Sequence, residues 1–198
     1  MSVTEQKREQ IIDAAVAEFQ ERGFSGASMD RVACQAEVSK RTVYNHFESK
    51  EVLFKAILNL MVDEMSAALN TVRFEPDIAI EKQLHDIAWV EGRLLTSPSF
   101  MKLARLVVSE TTRDAALAED MNKRMEKLHV FNHFFAAAHK AGMLNAPDEA
   151  TAAEQFVALI KSRAFWPVIF SGVPVTKSEM EDIISNTVNT FLKAYGKA

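Results

Sequence analysis

Cysteine, glycine and proline are all scarce in this chain, and each scarcity narrows the class of structure. One cysteine among 198 residues cannot form an internal disulfide framework. Six glycines and five prolines leave few helix breakers, and long stretches place apolar residues at helical spacing, which predicts an all-α fold without strands. No apolar run approaches the roughly 20 residues of a membrane-spanning helix, and the amino terminus lacks the apolar segment of a signal peptide. We therefore expect a cytoplasmic protein with no membrane segment.

Positive charge is also in short supply, since the formal net charge is −4. A protein that coats nucleic acid neutralises phosphates with an excess of Lys and Arg, so this class is disfavoured. Residues 1–50 carry seven Lys and Arg against eight Asp and Glu, and this part is not basic overall. Any DNA binding must therefore depend on a local patch, and we expect Lys40, Arg41 and Lys50 to share one surface.

The first 50 residues have the pattern of three helices. One apolar face at helical spacing runs over about residues 3–22, and Gly23 ends this helix. Ser28 is a good N-cap for a short second helix, and Ser39 is a good N-cap for a third helix of about two turns that ends near Phe47. Two short helices joined by a tight turn are typical of the helix-turn-helix, whose second helix enters the major groove.

The third helix has an apolar and a polar side. At 100° per residue, Val43 and Phe47 point inward, whereas Arg41 and Asn45 point outward. Arg can pair with guanine and Asn with adenine, each through two hydrogen bonds that contribute about 1–3 kcal/mol of base discrimination. The candidate base-reading residues are Arg41 and Asn45 with the flanking Thr42 and Tyr44.

Other polar side chains of this region are expected to contact the DNA backbone. Lys40 and His46 lie at the edges of the outward face, and Lys50 begins the next helix, where free N–H groups can also meet a phosphate. Arg8 and Ser28 could hold the opposite wall of the groove, although a solvated charge and a helix cap are equally ordinary explanations. The candidate backbone-contacting residues are Arg8, Ser28, Ser39, Lys40, His46 and Lys50.

The segment Gly23-Phe24, followed from Ser28 by SMDRVACQAEVSKRTVYNHFESKEVLF, resembles the DNA-binding half of the TetR family of bacterial regulators. The block Tyr44-x-His46-Phe47-x-x-Lys50 is its most distinctive part. Two positions depart from the family pattern: Glu37 stands where glycine is common in the turn, and Arg41 stands where many members have a small residue.

The resemblance covers about residues 7–55 and implies an organisation and a function. It implies a DNA-binding domain over 1–49 and a helical regulatory domain for effector binding and dimerisation over 50–198. The implied protein is a transcriptional regulator, a repressor, that binds a palindromic double-stranded operator as a homodimer and is released by a small apolar or amphipathic effector. Enzymatic activity, a cofactor and a metal are not expected.

The rest of the chain continues as amphipathic helices. After a helix over about 50–71, the periodicity predicts helical stretches at about 77–96, 99–110, 114–140, 148–170 and 177–195. The last two carry apolar stripes that could form a four-helix interface between two copies or could bury within their own domain. These stripes comprise Phe156, Leu159, Ile160 and Phe165, and Ile184, Val188, Phe191, Leu192 and Tyr195.

Large apolar side chains of this part could line an effector cavity, although such residues more often form the core. The candidates are Met61, Met65, Trp89, Phe100, Leu103, Val107, Phe131, Phe135 and Trp166. His129 and His133 have the four-residue spacing of two metal ligands, but no clear third ligand accompanies them. Cys34 could act as a redox sensor if its thiol were activated, and a passive role is the ordinary alternative.

Two further classes of function stay open. One is an all-α ligand-binding or catalytic protein whose N-terminal module is only structural, although no nucleophile–base pair, phosphate-binding glycine loop or complete metal motif supports it. The other is a helical adaptor whose exposed apolar stripes bind a different protein. A DNA-binding regulator accounts best for the helix-turn-helix pattern.

Overall fold

The structure is a computed structural model that describes residues 2–125, 130–146 and 148–197. Within these residues every regular secondary-structure element is a helix, and β-pairing is limited to one isolated bridge between Leu144 and Gly196. The all-α prediction is confirmed. The helices are α1 (Val3–Gly26), α2 (Met29–Gln35), α3 (Lys40–His46), α4 (Lys50–Leu69), α5 (Ile80–Thr96), α6 (Pro98–Thr111), α7 (Ala115–Met125), α8 (Val130–Lys140), α9 (Glu149–Ala164), α10 (Trp166–Ser171) and α11 (Lys177–Tyr195).

The chain divides into two compact units. The first comprises Met1–Asp63 with Lys102–Met125, and the second comprises Glu64–Met101 with Glu126–Ala198. The division falls inside α4 and inside α6. The sequence placed a functional boundary between residues 49 and 50, and that boundary stays a prediction.

The first unit is built on the apolar face of α1. Its buried side chains include Ile11, Ile12, Ala15, Val16 and Phe19. Phe19 also packs against Phe24 and Phe54, and the three ring centroids lie 5.3–5.8 Å apart in tilted or edge-to-face arrangements, which aromatic pairs prefer. This cluster joins the end of α1 to α4 within the unit.

The second unit has a core shared by α5, α8, α9 and α11. Phe135, Phe156 and Phe191 are fully or almost fully buried, with centroids 5.1–5.6 Å apart. α5 and α11 approach closely at Gly92, where a Cβ atom would lie 3.1 Å from Sδ of Met180. Glycine at this helical position therefore permits the close packing of the two helices.

Several helix boundaries differ from the predicted ones. The stretch predicted over 148–170 is two helices, because Phe165 is a turn residue between α9 and α10, and Pro167 in the first turn of α10 lacks the N–H that would continue the helical hydrogen bonds. α5 begins at Ile80 rather than near 77, since residues 73–79 form turns and irregular backbone. Of the stretch predicted over 114–140, α7 and α8 are described, and residues 126–129 between them lie outside the described residues.

The apolar stripes of the last two long helices are largely buried within the protomer. Ile184, Val188 and Phe191 on α11 and Phe156 and Ile160 on α9 are each at most 1% exposed. These five side chains are therefore unavailable to a partner, and the second of the two alternatives for them is correct. In the part of the chain that the structure describes, no helix combines the length and apolar character needed to cross a membrane.

Candidate nucleic-acid interface

The helix-turn-helix is formed by α2, the turn after it and α3. Ser28 accepts a hydrogen bond from the N–H of Arg31 (3.3 Å), and Ser39 accepts one from the N–H of Thr42 (3.1 Å), so both act as the N-caps that the sequence predicts. The Ser39 hydroxyl also lies 2.8 Å from that of Thr42. Both helices therefore begin at residues whose side chains fix their first turns.

The turn between the two helices contains an unusual backbone conformation. Glu37 has a φ of 53°, and among the described residues it alone has a positive φ without being glycine. The N–H of Glu37 donates to the carbonyl of Cys34 (3.2 Å) and that of Val38 donates to the carbonyl of Ala33 (3.0 Å), the two bonds of a Schellman motif. This motif favours glycine at the position that Glu37 occupies, which explains why glycine is common there in the resembling family.

The orientation of α3 follows its predicted helical phase. Val43 is fully buried and Phe47 is 2% exposed, so both anchor the helix to the module. Arg41 and Asn45 are exposed and Tyr44 is 49% exposed, whereas Thr42 is half-buried. Within the described residues no ion pair involves Arg41. The structure thus brings the four candidate base-reading residues onto one short helix, with Arg41, Tyr44 and Asn45 open to solvent.

The candidate backbone-contacting residues have different surroundings. Lys40 forms an ion pair with Asp30 at 2.5 Å, and both side chains are more than half exposed, so water screens the attraction. The guanidinium of Arg8 lies 5.4 Å from the centre of the Phe47 ring. His46 is half-buried beside the same ring. Arg8 and His46 therefore both lie beside Phe47 at the C-terminal end of α3.

Lys50 contacts the chain rather than standing free. Its Nζ donates to the carbonyls of Phe24 (2.5 Å), Ala27 (3.3 Å) and Ser25 (3.4 Å) and lies 4.6 Å from the centre of the Phe24 ring. These carbonyls end α1, where backbone acceptors lack helical partners and a cation is favourable. The sequence suggested a phosphate contact for Lys50 and gave no sign of these bonds.

Glu18 is a structural residue of the site that the sequence did not single out. Its side chain is fully buried, and its Oε1 accepts hydrogen bonds from Nε of Arg31 (2.5 Å) and from the N–H of Ser28 (3.2 Å). Nε of Arg22 lies 3.7 Å from the second carboxylate oxygen. Arg31 also donates to the carbonyl of Gly26. A buried carboxylate with two arginines thus connects α1 to the start of α2.

The predicted effector residues are distributed over both units, and their assignment stays a prediction. Met61, Leu103 and Val107 belong to the first unit and the other six to the second. Seven of the nine are buried, whereas Trp166 is 47% exposed and stacks against Phe170. The remaining one, Trp89, lines a cleft of about 430 Å³ in the second unit. Its lining comprises Thr71, Val72, Arg73, Glu75, Ile78, Gln83, Asp86, Ile87, Trp89, Val90 and Arg93.

The remaining candidates from the sequence are the two histidines proposed as metal ligands and the single cysteine. His133 is exposed and its predicted companion, His129, lies outside the described residues. Among the residues that the structure describes, no three His, Cys, Asp or Glu side chains are arranged to hold a metal ion. Cys34 is a free, exposed thiol on α2.

Taken together, the three N-terminal helices, the capped α2–turn–α3 and its outward polar face define a helix-turn-helix protein of the DNA-binding class. Comparison with protein families gives two matches. Residues 11–57 match the model of bacterial regulatory proteins of the tetR family, and residues 82–197 match the C-terminal domain of AefR-like transcriptional repressors.

Individual relatives agree with these matches. A TetR family transcriptional regulator from Pseudomonas syringae pv. tomato str. DC3000 is 40% identical, the alignment covers 98% of each chain, and the TM-score is 0.86. The flavonoid-responsive regulator FrrA is 27% identical over 97% of this chain and 98% of FrrA, with a TM-score of 0.73. The transcriptional regulator RutR of Escherichia coli (strain K12) is 31% identical over 116 residues, which are 58% of this chain and about half (52%) of RutR.

The chain belongs to the TetR family of transcriptional regulators. Members of this family regulate transcription rather than catalyse reactions, bind operator DNA and typically act as dimers with small-molecule effectors. The predicted family, the all-α class and the helix-turn-helix are confirmed.

Proposed function

We propose that this protein is a repressor that binds a palindromic operator as a homodimer and leaves it when a small molecule binds the second unit. The observation that carries the proposal is the outward face of α3, where Arg41, Tyr44 and Asn45 are exposed while Val43 and Phe47 anchor the helix from behind. The match of residues 82–197 to the C-terminal domain of transcriptional repressors supports repression rather than activation.

Base reading is assigned to Arg41 and Asn45. Arg41 carries a guanidinium with five donors and makes no ion pair in the described part of the chain, so its hydrogen bonds are available to a guanine edge. The ion pair between Lys40 and Asp30 is exposed and therefore weak, so Lys40 can leave Asp30 for a DNA phosphate with little loss of free energy. The N-terminal part is not basic overall, so one copy binds weakly and two copies on a palindrome supply the required affinity.

The second copy is expected to contact α10. Phe170 is 80% exposed, Val173 is 68% exposed and Trp166 is 47% exposed, so an apolar surface is left uncovered on the protomer. Exposed aromatic and apolar surface of this kind marks protein contacts. Replacing Phe170 with Ser is expected to shift the dimer to monomer in analytical ultracentrifugation. If Phe170→Ser dimerises like the wild type, α10 is not part of the dimer interface.

The effector is proposed to be a small amphipathic or apolar molecule. Trp89 gives the described cleft an aromatic face, and Arg73, Arg93, Glu75 and Asp86 give it charges of both signs. FrrA, a relative described as flavonoid-responsive, supports a planar ligand as the first compound to test. In a Trp166→Phe protein Trp89 is the remaining tryptophan, so saturable quenching of its fluorescence by a flavonoid would report binding beside it.

Specific DNA binding is tested with fragments of the flanking genome in gel-shift titrations. The wild-type protein is expected to form a sequence-specific complex that weakens steeply with salt. Arg41→Ala and Asn45→Ala should each lose about 1–3 kcal/mol of discrimination at one base pair of each half-site. Lys193→Ala, which removes an exposed charge at the end of α11, is the matched control and should leave specificity unchanged.

A further inference from the structure

Residues 24–28 comprise the end of α1 beyond the non-helical backbone of Gly23 and the two residues before α2, and side chains from both sides hold them. Glu18 reaches them from α1 and binds the N–H of Ser28, and Lys50 reaches them from α4 and binds the carbonyls of Phe24, Ser25 and Ala27. We call Glu18 and Lys50 together the loop clasp. Both contacts span large sequence separations, so they fix tertiary rather than local geometry.

The Lys50 half of the clasp uses all of the donor capacity of its ammonium. An ammonium has three N–H donors, and three carbonyl oxygens lie within 3.4 Å of Nζ. The Phe24 ring covers it at 4.6 Å. A phosphate contact would require Nζ to leave these carbonyls, which would then lose a charged hydrogen-bond donor near the end of α1.

The Glu18 half of the clasp sets the first residue of α2. The carboxylate holds the backbone N–H of Ser28, and the Ser28 hydroxyl in turn caps the N–H of Arg31. Arg31 returns to Glu18 through its guanidinium, which closes the network. Since α2 packs on α3, the start of α2 controls where the outward face of α3 points.

We propose that Glu18 and Lys50 are positioning residues for DNA recognition, and that Lys50 acts on DNA affinity through residues 24–28 rather than through a phosphate. The inference rests on the proposed DNA-binding function. It assigns Lys50 a different role from Lys40, although both are lysines of the same small module.

The salt dependence of DNA affinity separates the two roles for Lys50. The salt slope, d log K/d log salt, changes by about 0.9 per phosphate contact, so a substitution that removes one contact from each copy of the homodimer lowers its magnitude by about 1.8. Lys50→Met should instead weaken specific binding about 10- to 100-fold, the range expected for hydrogen bonds of a charged group, and leave the slope unchanged. Lys50→Arg, which keeps donors for the carbonyls, should recover part of the affinity. Lys40→Met is the matched variant and should lower the slope.

The Glu18 half is tested by the sign of the affinity change. Removing a negative charge from the DNA-binding module strengthens DNA binding if only long-range electrostatics matters. Glu18→Gln keeps the size of the side chain and one carbonyl acceptor, but it cannot hold Ser28 and both arginines equally well. We therefore expect weaker binding in Glu18→Gln, and weaker binding still in Glu18→Ala.

Amide hydrogen exchange tests the clasp without DNA. Exchange at Ser28 should accelerate at least tenfold in Glu18→Ala, and exchange at Ala27 should accelerate in Lys50→Met, while amides of the α4 interior keep their protection. The proposal is overturned if Lys50→Met lowers the magnitude of the salt slope by about 1.8 and leaves exchange at Ala27 unchanged, or if Glu18→Gln binds DNA more tightly. A wild-type protein without any specific complex would refute the proposed function, and the exchange rates alone would then decide the clasp.

Discussion

Replacing Glu37 with Gly should stabilise the protein, because this residue occupies a left-handed conformation in the helix-turn-helix turn. That conformation costs a residue with a Cβ atom about 1–2 kcal/mol. Glycine avoids this cost but loses about 0.5–1 kcal/mol through its greater freedom in the unfolded chain. The difference leaves a net gain of about 0.5–1 kcal/mol for Glu37→Gly.

Urea unfolding of three proteins isolates the backbone contribution. Glu37→Ala removes the same carboxylate but keeps the Cβ atom, so Glu37→Gly should exceed it in free energy of unfolding by about 0.5–1 kcal/mol. Gly142 occupies the equivalent position of a second Schellman motif, with a φ of 72°, and Gly142→Ala should lose a similar amount. Equal stability of the Gly and Ala variants at position 37 would refute the claim of backbone strain.

Two further predictions concern the second unit. Gly92→Ala should lower the free energy of unfolding by up to about 2 kcal/mol, because the new methyl group presses on Met180. This loss should outweigh the better helix propensity of Ala. Urea unfolding should show no such loss when Gly92→Ala is made in a Met180→Ala background. The backbone N–H and hydroxyl of Thr176 hold the pKa of Glu179 below its ordinary value of 4.5. This contribution is present above pH 4.5 and is lost as the pH falls through the lowered pKa, so the melting temperatures of wild type and Glu179→Gln should differ at pH 7 and converge in acid.

Local regularity explains which parts of the site could be predicted. The caps Ser28 and Ser39 depend on hydrogen bonds to residues three positions later, and the inward direction of Val43 and Phe47 follows from the helical repeat. Both are properties of short segments. The outward position of Asn45 follows from the same repeat.

The parts of the site that could not be predicted from the sequence depend on contacts between residues far apart in the chain. Lys50 meets Phe24 across 26 positions, and no local pattern distinguishes this contact from a phosphate contact. A glutamate on α1 is expected to be solvated, yet the Glu18 side chain is fully buried, where it contacts two arginines and the N–H of Ser28. A stripe of apolar residues, such as that of Ile184 on α11, has the same periodicity whether it packs within one chain or between two.

The sequence preference of Arg41 and Asn45 variants decides whether the outward face of α3 reads bases. Selection of bound sequences from a random DNA library would give the preferred palindrome for the wild type and for Arg41→Ala, Asn45→Ala and Lys40→Ala. We expect the first two variants each to lose preference at one position per half-site, and Lys40→Ala to keep the same preferred sequence with weaker overall binding. Unchanged preferences in both Arg41→Ala and Asn45→Ala would contradict base reading by the outward face of α3.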